Sequence, residues 1–425
     1  MSAFERIIGY DTIKNELMQI CDMIHNRDIY EKLGAKLPQG VLIHGEPGLG
    51  KTLMAKCFIE ECGLETYTIR RNRGNDDFVG LITDVFEKAK ENAPALIFLD
   101  DMDKFANEDQ AHRNAEEYVA VQSGIDEIEG YDVFVLATAN DLDNLPYSLL
   151  RSGRFDRKIE VRHPSESDSR AIIEYFLSDK KVDKNLNLDD LAKMICYSSC
   201  ADLEVILNQA AINSAFERKK KIEISDLVKA VLCMQYDSPN NLTNASEEEL
   251  HKIALHEAGH LVVSEILTSG SVGLASIRTQ GRGRIGGFIH SCKDHQRSLY
   301  RVYIALAGKA AVELYYSEES TGGCEHDLYR AADMLRESMS QGALFGFGLF
   351  DVSGRRYDVS ANYNATSEVA VQTELERYMI KTREILIKNR LCLETTAEAL
   401  LEKETLLFSD IQKIRKEAEI VEVAV

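Results

Sequence analysis

Two short stretches of this 425-residue chain hold residue types at spacings that can do chemistry. The first, His256-Glu-Ala-Gly-His260, sets two histidines around a glutamate. On a helix, positions i and i+4 share one face, so both imidazoles can bind one metal ion. Neutral imidazoles suit Zn2+, and a catalytic zinc keeps one position open for a water that it acidifies while polarising a scissile carbonyl. Glu257 is placed to take that water's proton. Such a site needs a third protein ligand. Gly322-Gly-Cys-Glu-His-Asp-Leu-Tyr-Arg-Ala-Ala332 offers Asp327, with His326 and Glu325 as rivals that spacing does not rank.

The second stretch, Gly45, Glu46, Pro47, Gly48, Leu49, Gly50, Lys51 and Thr52, has the full P-loop spacing. It follows the apolar run Val41–His44 and opens a helix, the context that gives the motif meaning. Its glycines let the backbone curl so that N–H groups point at phosphate oxygens. Lys51 is expected on the β- and γ-phosphates, and the Thr52 hydroxyl on Mg2+. Phe98-Leu-Asp-Asp-Met-Asp103 ends another apolar run with carboxylates: Asp100 on the metal side, Asp101 to activate water. Asn140, after Val133–Thr138, is placed to orient that water. Arg151, Arg154 and Arg157 recur every third residue, and arginine stabilises charge on a transferring phosphoryl group. Singly, the carboxylates read as a solvated loop and the arginines as a basic one; their weight comes from standing in order on one chain. The expected cofactors are Zn2+ and ATP with Mg2+.

The elements that must position these residues fall into regions. Residues 1–165 alternate apolar runs (Val41–His44, Ala95–Leu99, Val133–Thr138) with amphipathic helices, which predicts an α/β domain with a parallel sheet. Residues 166–235 read as helices only: Ser169–Leu177, Leu188–Met194, Ala201–Lys219 and Ile224–Met234. Residues 236–245 are rich in turn formers and read as a linker. Residues 246–425 read as mainly α-helical, broken by a hairpin pairing Gly273–Thr279 with Ile285–Ser291 around Gly281-Arg-Gly-Arg284. The zinc motif belongs on a helix: Ser246-Glu-Glu-Glu249 is a capping-box pattern, and Leu250, Ile253, Ala254, Leu261 and Val262 keep helical periodicity.

The net charge of −20 argues against nucleic acid or an anionic membrane surface as the main partner. Nine scattered cysteines with no CxxC pair fit reduced thiols in a cytoplasmic protein. No apolar run approaches the ~20 residues that span a bilayer, and the start has no signal-peptide core.

The P-loop, acidic run, Asn140 and arginines together resemble the AAA+ ATPases. There the matching arginines reach a neighbouring subunit's nucleotide, which implies a homo-oligomeric ring, commonly a hexamer. The resemblance places Ile8 and Gly9 near the adenine and makes residues 166–235 a helical lid. Ala201-Asp-Leu203 lies near the lid's usual Gly-Ala-Asp-Leu motif, with Cys200 replacing the glycine. A P-loop ATPase followed by HExxH resembles the FtsH family of ATP-dependent zinc metalloproteases, from about Phe4 to about Lys416. Tyr30-Glu-Lys-Leu-Gly-Ala-Lys36, Phe86-Glu-Lys-Ala-Lys-Glu-Asn-Ala-Pro94, Ala307-Gly-Lys-Ala-Ala311 and Ser320-Thr-Gly322 extend the likeness. It implies that Asp327, rather than His326, is the third zinc ligand. It also implies unfolding of polypeptides through a ring pore with hydrolysis in an attached chamber, the work of an ATP-dependent endopeptidase acting on unfolded or tagged proteins.

Four departures qualify that expectation. The family's membrane anchor is missing, and Met1-Ser-Ala reads as the natural start of a soluble member; membrane association would then need a partner, unless an anchor was cut away. Asp101 replaces the water-activating glutamate, and a misplacement of about 1 Å can cost roughly 10²-fold in rate. The pore aromatic is displaced: Phe78-Val-Gly80 is the nearest match, with Gly74-Asn-Asp-Asp77 in the usual position. The segment after Gly130 is short. The second expectation is therefore a zinc metallopeptidase whose ATPase half is weak or merely nucleotide-gated. A remodelling chaperone with an inert protease would predict damage to His256, Glu257, His260 or Asp327, and all four are present.

Overall fold

The computed structural model describes residues 2–71, 77–107, 115–151, 153–238, 245–278, 286–293, 297, 299–316, 323–347, 349 and 361–423. The chain forms two compact units, Met1–Asp179 with Tyr197–Val205, and Lys180–Cys196 with Ile206–Val425. Among the described residues no helix is long and apolar enough to cross a membrane.

The first unit contains α1 (Asp11–His25), α2 (Arg27–Lys32), β1 (Gly40–His44), α3 (Lys51–Cys62), β2 (Glu65–Ile69), α4 (Phe78–Glu91), β3 (Ala95–Leu99), α5 (Ala115–Glu127), β4 (Val133–Ala139), β5 (Arg157–Glu160) and α6 (Glu166–Leu177). Its five strands form a parallel sheet in the order β2-β3-β4-β1-β5. β3 and β4 are buried along their whole length, as strands covered on both faces must be. Leu42, Ile97 and Val135 from the sheet share one core with Phe86 and Ile125 from the helices. Because β4 lies between β1 and β3, the carboxyl ends of these three strands bring the P-loop, Asn140 and the acidic run to one edge.

Phe78, the nearest match to the family's pore aromatic, is buried rather than projecting. It opens α4, whose N-cap Asp77 accepts the Gly80 N–H at 2.8 Å. The Phe78 ring is 5% exposed and packs edge-on against Phe105, with centroids 5.3 Å apart. The Gly74–Asp76 part of the alternative pore segment lies outside the described residues.

The remaining elements are α7 (Leu188–Met194), α8 (Cys200–Phe216, whose first residues belong to the first unit), α9 (Ile224–Tyr236), α10 (Glu247–Leu267), β6 (Val272–Ser276), β7 (Phe288–Ser291), α11 (Tyr300–Glu313), α12 (Glu325–Ser340), β8 (Leu344–Phe347), α13 (Ala361–Lys388), α14 (Arg390–Lys403), β9 (Thr405–Leu407) and α15 (Phe408–Glu417). The expected capping box starts α10: Ser246 accepts the Glu249 N–H, and the Glu249 carboxylate accepts the Ser246 N–H at 2.8 Å. β6 pairs antiparallel with β7, as the hairpin pattern predicts, and on its other side with β9. The connecting Gly281–Arg284, residues 239–244 of the expected linker and Ser320–Gly322 lie outside the described residues. The core of this unit joins Leu255 and Val262 of α10 to Ala311 of α11 and to Leu393 and Leu400 of α14. At the centre of that packing, a Cβ on Gly259 would stand 2.5 Å from the Ala307 carbonyl oxygen, so α10 and α11 touch backbone to backbone.

Candidate metal centre and nucleotide site

Helix α10 carries His256 and His260 one turn apart, and their Nε2 atoms lie 2.9 Å from each other. Asp327, in the first turn of α12, brings Oδ2 to 3.2 Å from His256 Nε2 and 3.3 Å from His260 Nε2. Ligands held at 2.0–2.1 Å around one tetrahedral zinc sit about 3.3 Å apart, so these three atoms fit a shared ion. Among the described residues they are the one cluster of three histidine, cysteine or carboxylate groups close enough to hold a metal. The rivals Glu325 and His326 are exposed on α12 and do not join it.

The surroundings fix each imidazole. His260 Nδ1 lies 2.6 Å from the Ile304 carbonyl oxygen, which can only accept, so Nδ1 carries the proton and the Nε2 lone pair faces the site. The His256 ring lies over Gly308, where a Cβ would stand 2.4–2.6 Å from three of its atoms. Its Nδ1 is 3.7 Å from Sγ of Cys324, the buried N-cap of α12. Burial alone would raise the Asp327 carboxyl and lower the His260 imidazole. Hydrogen bonds and charges from His256 and His260 outweigh it at Asp327, and the Asp327 hydrogen bond with the charges of Glu257 and Asp327 outweighs it at His260, holding Asp327 below and His260 above its ordinary range.

Glu257 is 4% exposed, and burial raises its carboxyl above the ordinary range, with the two histidines partly offsetting that. The Gly287 backbone lies against it. A Cβ on Gly287 would meet Glu257 Cγ at 2.5 Å and the Ser276 carbonyl oxygen at 2.3 Å, so only glycine lets this strand approach so closely. The arrangement can hold Zn2+ with a proton acceptor beside it.

In the first unit, the P-loop leaves β1 through Gly45 at φ +145°, where a Cβ would strike the Val161 carbonyl oxygen at 2.1 Å. Lys51 is buried, and its Nζ donates to the carbonyls of Gly45 and Glu46 at 2.7 Å each. Burial lowers the Lys51 pKa, against the pull of Asp101 and Asp103. Thr52 Oγ1 lies 3.4 Å from Oδ1 of buried Asp100, which joins the two expected magnesium-side groups. Asp101 stands in the left-handed conformation (φ +54°), and its Oδ2 is 2.6 Å from Lys104 Nζ. Asn140 Nδ2 is 3.4 Å from Asp103 Oδ2.

Ile8-Gly9 is held against α6, because the Tyr10 N–H donates to Asp168 Oδ1 at 2.9 Å and a Cβ on Gly9 would lie 2.7 Å from that atom. Tyr10 OH lies 3.6 Å from Cys200 Sγ, and the Ala201 N–H donates to the Gly48 carbonyl at 3.1 Å. Ile8-Gly9, the P-loop and the Cys200 turn therefore converge. The arginines do not act alike. Arg154 grips the Asp126 carboxylate at 2.8 and 2.9 Å and also bonds the Ser148 carbonyl. Arg151 is exposed over the Tyr147 ring, and Arg157 is exposed on β5.

Sequence reasoning missed the groups that support the site: Gly308, Gly287, the Ile304 carbonyl, Cys324 and Thr138. Only Gly308 carried a signal, as part of Ala307–Ala311.

Residues 41–163 match the model of the ATPase family associated with various cellular activities (AAA), and residues 243–414 match peptidase family M41. The proteins named ATP-dependent zinc metalloprotease FtsH from Ureaplasma parvum and Leptotrichia buccalis are 29% and 31% identical to this chain over 97% of its residues. This chain spans only 60% and 56% of their length. The ATP-dependent zinc metalloprotease FtsH 2 of Symbiobacterium thermophilum is 31% identical over 97% of this chain and 74% of its own length.

Proposed function

The chain belongs to the FtsH family of ATP-dependent zinc metalloproteases, and from that premise we propose that it is an ATP-dependent zinc endopeptidase. It unfolds and degrades proteins, acting on unfolded or tagged substrates, as a cytoplasmic homo-oligomeric ring, a hexamer, without nucleic acid as a partner. The observation that carries this reading is the convergence of His256, His260 and Asp327 within 2.9–3.3 Å, with Glu257 buried beside them. Residues 1–165 bind nucleotide, 166–235 form the lid, 236–245 the linker and 246–425 the peptidase.

His256, His260 and Asp327 would hold the zinc, which when bound polarises the scissile carbonyl and acidifies a water. Glu257 accepts that water's proton on its carboxylate and delivers it to the leaving amine. In the other half, Gly45–Thr52 would wrap the phosphates, and Thr52 with Asp100 would hold Mg2+. Asp101 takes a proton from the attacking water, Asn140 orients that water, and Ile8-Gly9 lies at the base. Arg151 and Arg154 serve a neighbour's nucleotide; Arg154 would exchange its Asp126 partner to do so.

Degradation of an unfolded protein, with and without ATP and with and without a zinc chelator, tests this reading. Degradation should need both ATP and zinc, and chelator-resistant cleavage would overturn the peptidase assignment. A second reading has its own support: the short Asp101 carboxylate is engaged by Lys104 at 2.6 Å, which favours a weak or merely nucleotide-gated ATPase half. Absence of turnover at saturating Mg-ATP would select it.

A further inference from the structure

Thr138 lies near the end of β4, fully buried, opposite Ile43 of the P-loop strand. Its neighbour Ala137 pairs with Leu99, the residue before Asp100. The hydroxyl makes two bonds of fixed direction. Its proton goes to Asp100 Oδ1 at 3.0 Å, and its oxygen accepts the Asp101 backbone N–H at 2.9 Å. A carboxylate only accepts and an amide N–H only donates, so the hydroxyl cannot turn round. Both bonds meet a need. Asp100 Oδ1 also faces Thr52 Oγ1 at 3.4 Å, so the rotation of this carboxylate decides whether it points at the magnesium-side hydroxyl. Asp101 stands at φ +54°, ψ +52°, a conformation that is costly for a residue with a Cβ and persists only where its surroundings hold it.

We propose that Thr138 is a positioning residue for ATP hydrolysis: one buried hydroxyl sets the rotation of Asp100 and the backbone turn that aims Asp101. This rests on the roles given above to Asp100 and Asp101. Thr138 touches neither the P-loop glycines nor Lys51 in its hydrogen bonding, so its loss should act on turnover rather than on nucleotide affinity.

The test uses the full chain, with Mg-ATP turnover and titration of a fluorescent ATP analogue. Thr138→Val keeps the shape and β-branching but removes both hydrogen bonds; Thr138→Ser keeps the hydroxyl. In Thr138→Val, kcat should fall roughly 10- to 100-fold, as expected for displaced catalytic groups, while analogue affinity changes less than about threefold. The Mg2+ concentration for half-maximal turnover should rise. Thr138→Ser should recover most of the rate. Unchanged kcat in a Thr138→Val variant that still binds the analogue would overturn the proposal. Equal losses in the valine and serine variants would do so too, because they would indicate packing rather than the hydroxyl. Asp101→Asn separates the two levels. If it keeps full turnover, the role of Asp101 fails and the proposal with it. If it is inactive beside an unaffected Thr138→Val, the positioning role alone fails.

Discussion

Gly308→Ala puts a single methyl group against the metal centre. The Cβ would stand 2.4 Å from His256 Cε1, 2.5 Å from Nδ1 and 2.6 Å from Nε2. Non-bonded carbon atoms rest near 3.5 Å or beyond, so either the ring or α11 must give by about 1 Å. α11 has little room: Leu306, Ala307, Ala310 and Ala311 are all buried, and the Ala307 carbonyl already abuts Gly259. The ring therefore moves. Metal–ligand distances tolerate about 0.2 Å, so a shift of about 1 Å breaks the His256 bond and leaves His260 and Asp327 in place. Losing a partner behind a ligand costs roughly 10- to 100-fold in metal affinity. Losing the ligand itself should cost at least the upper figure, about 2.7 kcal/mol. Overpacking costs typically ~1–3 kcal/mol, less than the ~5–15 kcal/mol margin of a folded domain, so the fold should survive. The assay is zinc competition against a chromogenic chelator, with a thermal melt of the metal-free protein alongside. Zinc should bind at least about 100-fold more weakly, and the melt should fall by a few degrees. Wild-type zinc affinity in a folded Gly308→Ala protein would refute the reasoning, because it would mean that His256 is not pinned between α10 and α11.

Glu257→Gln keeps the shape of the side chain and removes its proton acceptor; peptide cleavage should fall roughly 10²- to 10⁴-fold with zinc content unchanged, and retained cleavage would exclude the general-base role. Lys51→Ala should abolish degradation of folded proteins and weaken nucleotide binding while sparing short peptides, which need no unfolding; parallel assays on the two substrates check this. His290 predicts a pH dependence of stability. Burial lowers its pKa to about 4, and it stands neutral between the Tyr236 hydroxyl at 2.6 Å and Cys196 Sγ at 3.1 Å. The unfolded chain takes up this proton near pH 6.5, the folded chain only near 4, so the stabilisation is complete above about pH 6.5 and is lost as pH falls through 4. Urea unfolding with chelator present should show a drop of order 2–3 kcal/mol between pH 7.5 and 4 that His290→Gln largely removes; an equal drop in both proteins would count against it.

What could be read from the sequence was chemistry whose parts are close along the chain. Two histidines one helical turn apart and a P-loop after an apolar run need no tertiary knowledge. The same holds for β1, β3 and β4, because strands buried on both faces must be apolar throughout. The edge strands escaped notice for the converse reason: Glu65-Thr-Tyr-Thr-Ile69 and Arg157-Lys-Ile-Glu160 keep polar side chains in solvent and show no apolar run. Phe78 is a different case. Phe78, Ile82, Phe86 and Ala89 repeat at helical spacing and are all buried, a period that marks Phe78 as core where the aromatic-Val-Gly likeness alone leaves its role open.

The supports of the metal centre were hidden because each depends on a partner on another element, yet they follow one rule once the helices are paired. His256 lies over Gly308, and His260 bonds the Ile304 carbonyl. One turn forward on α10 thus corresponds to one turn back on α11, as antiparallel packing requires. Gly259, between the two histidines in sequence, meets Ala307 and Ala311 on the same face of α11. The small residues of Ala307-Gly-Lys-Ala-Ala311 are therefore the imprint of the metal-binding helix on its neighbour: a glycine admits a ring, and alanines admit a backbone. A chain that keeps HExxH but fills position 308 or 311 with a larger side chain would retain the ligands in sequence and lose the geometry that lets them meet.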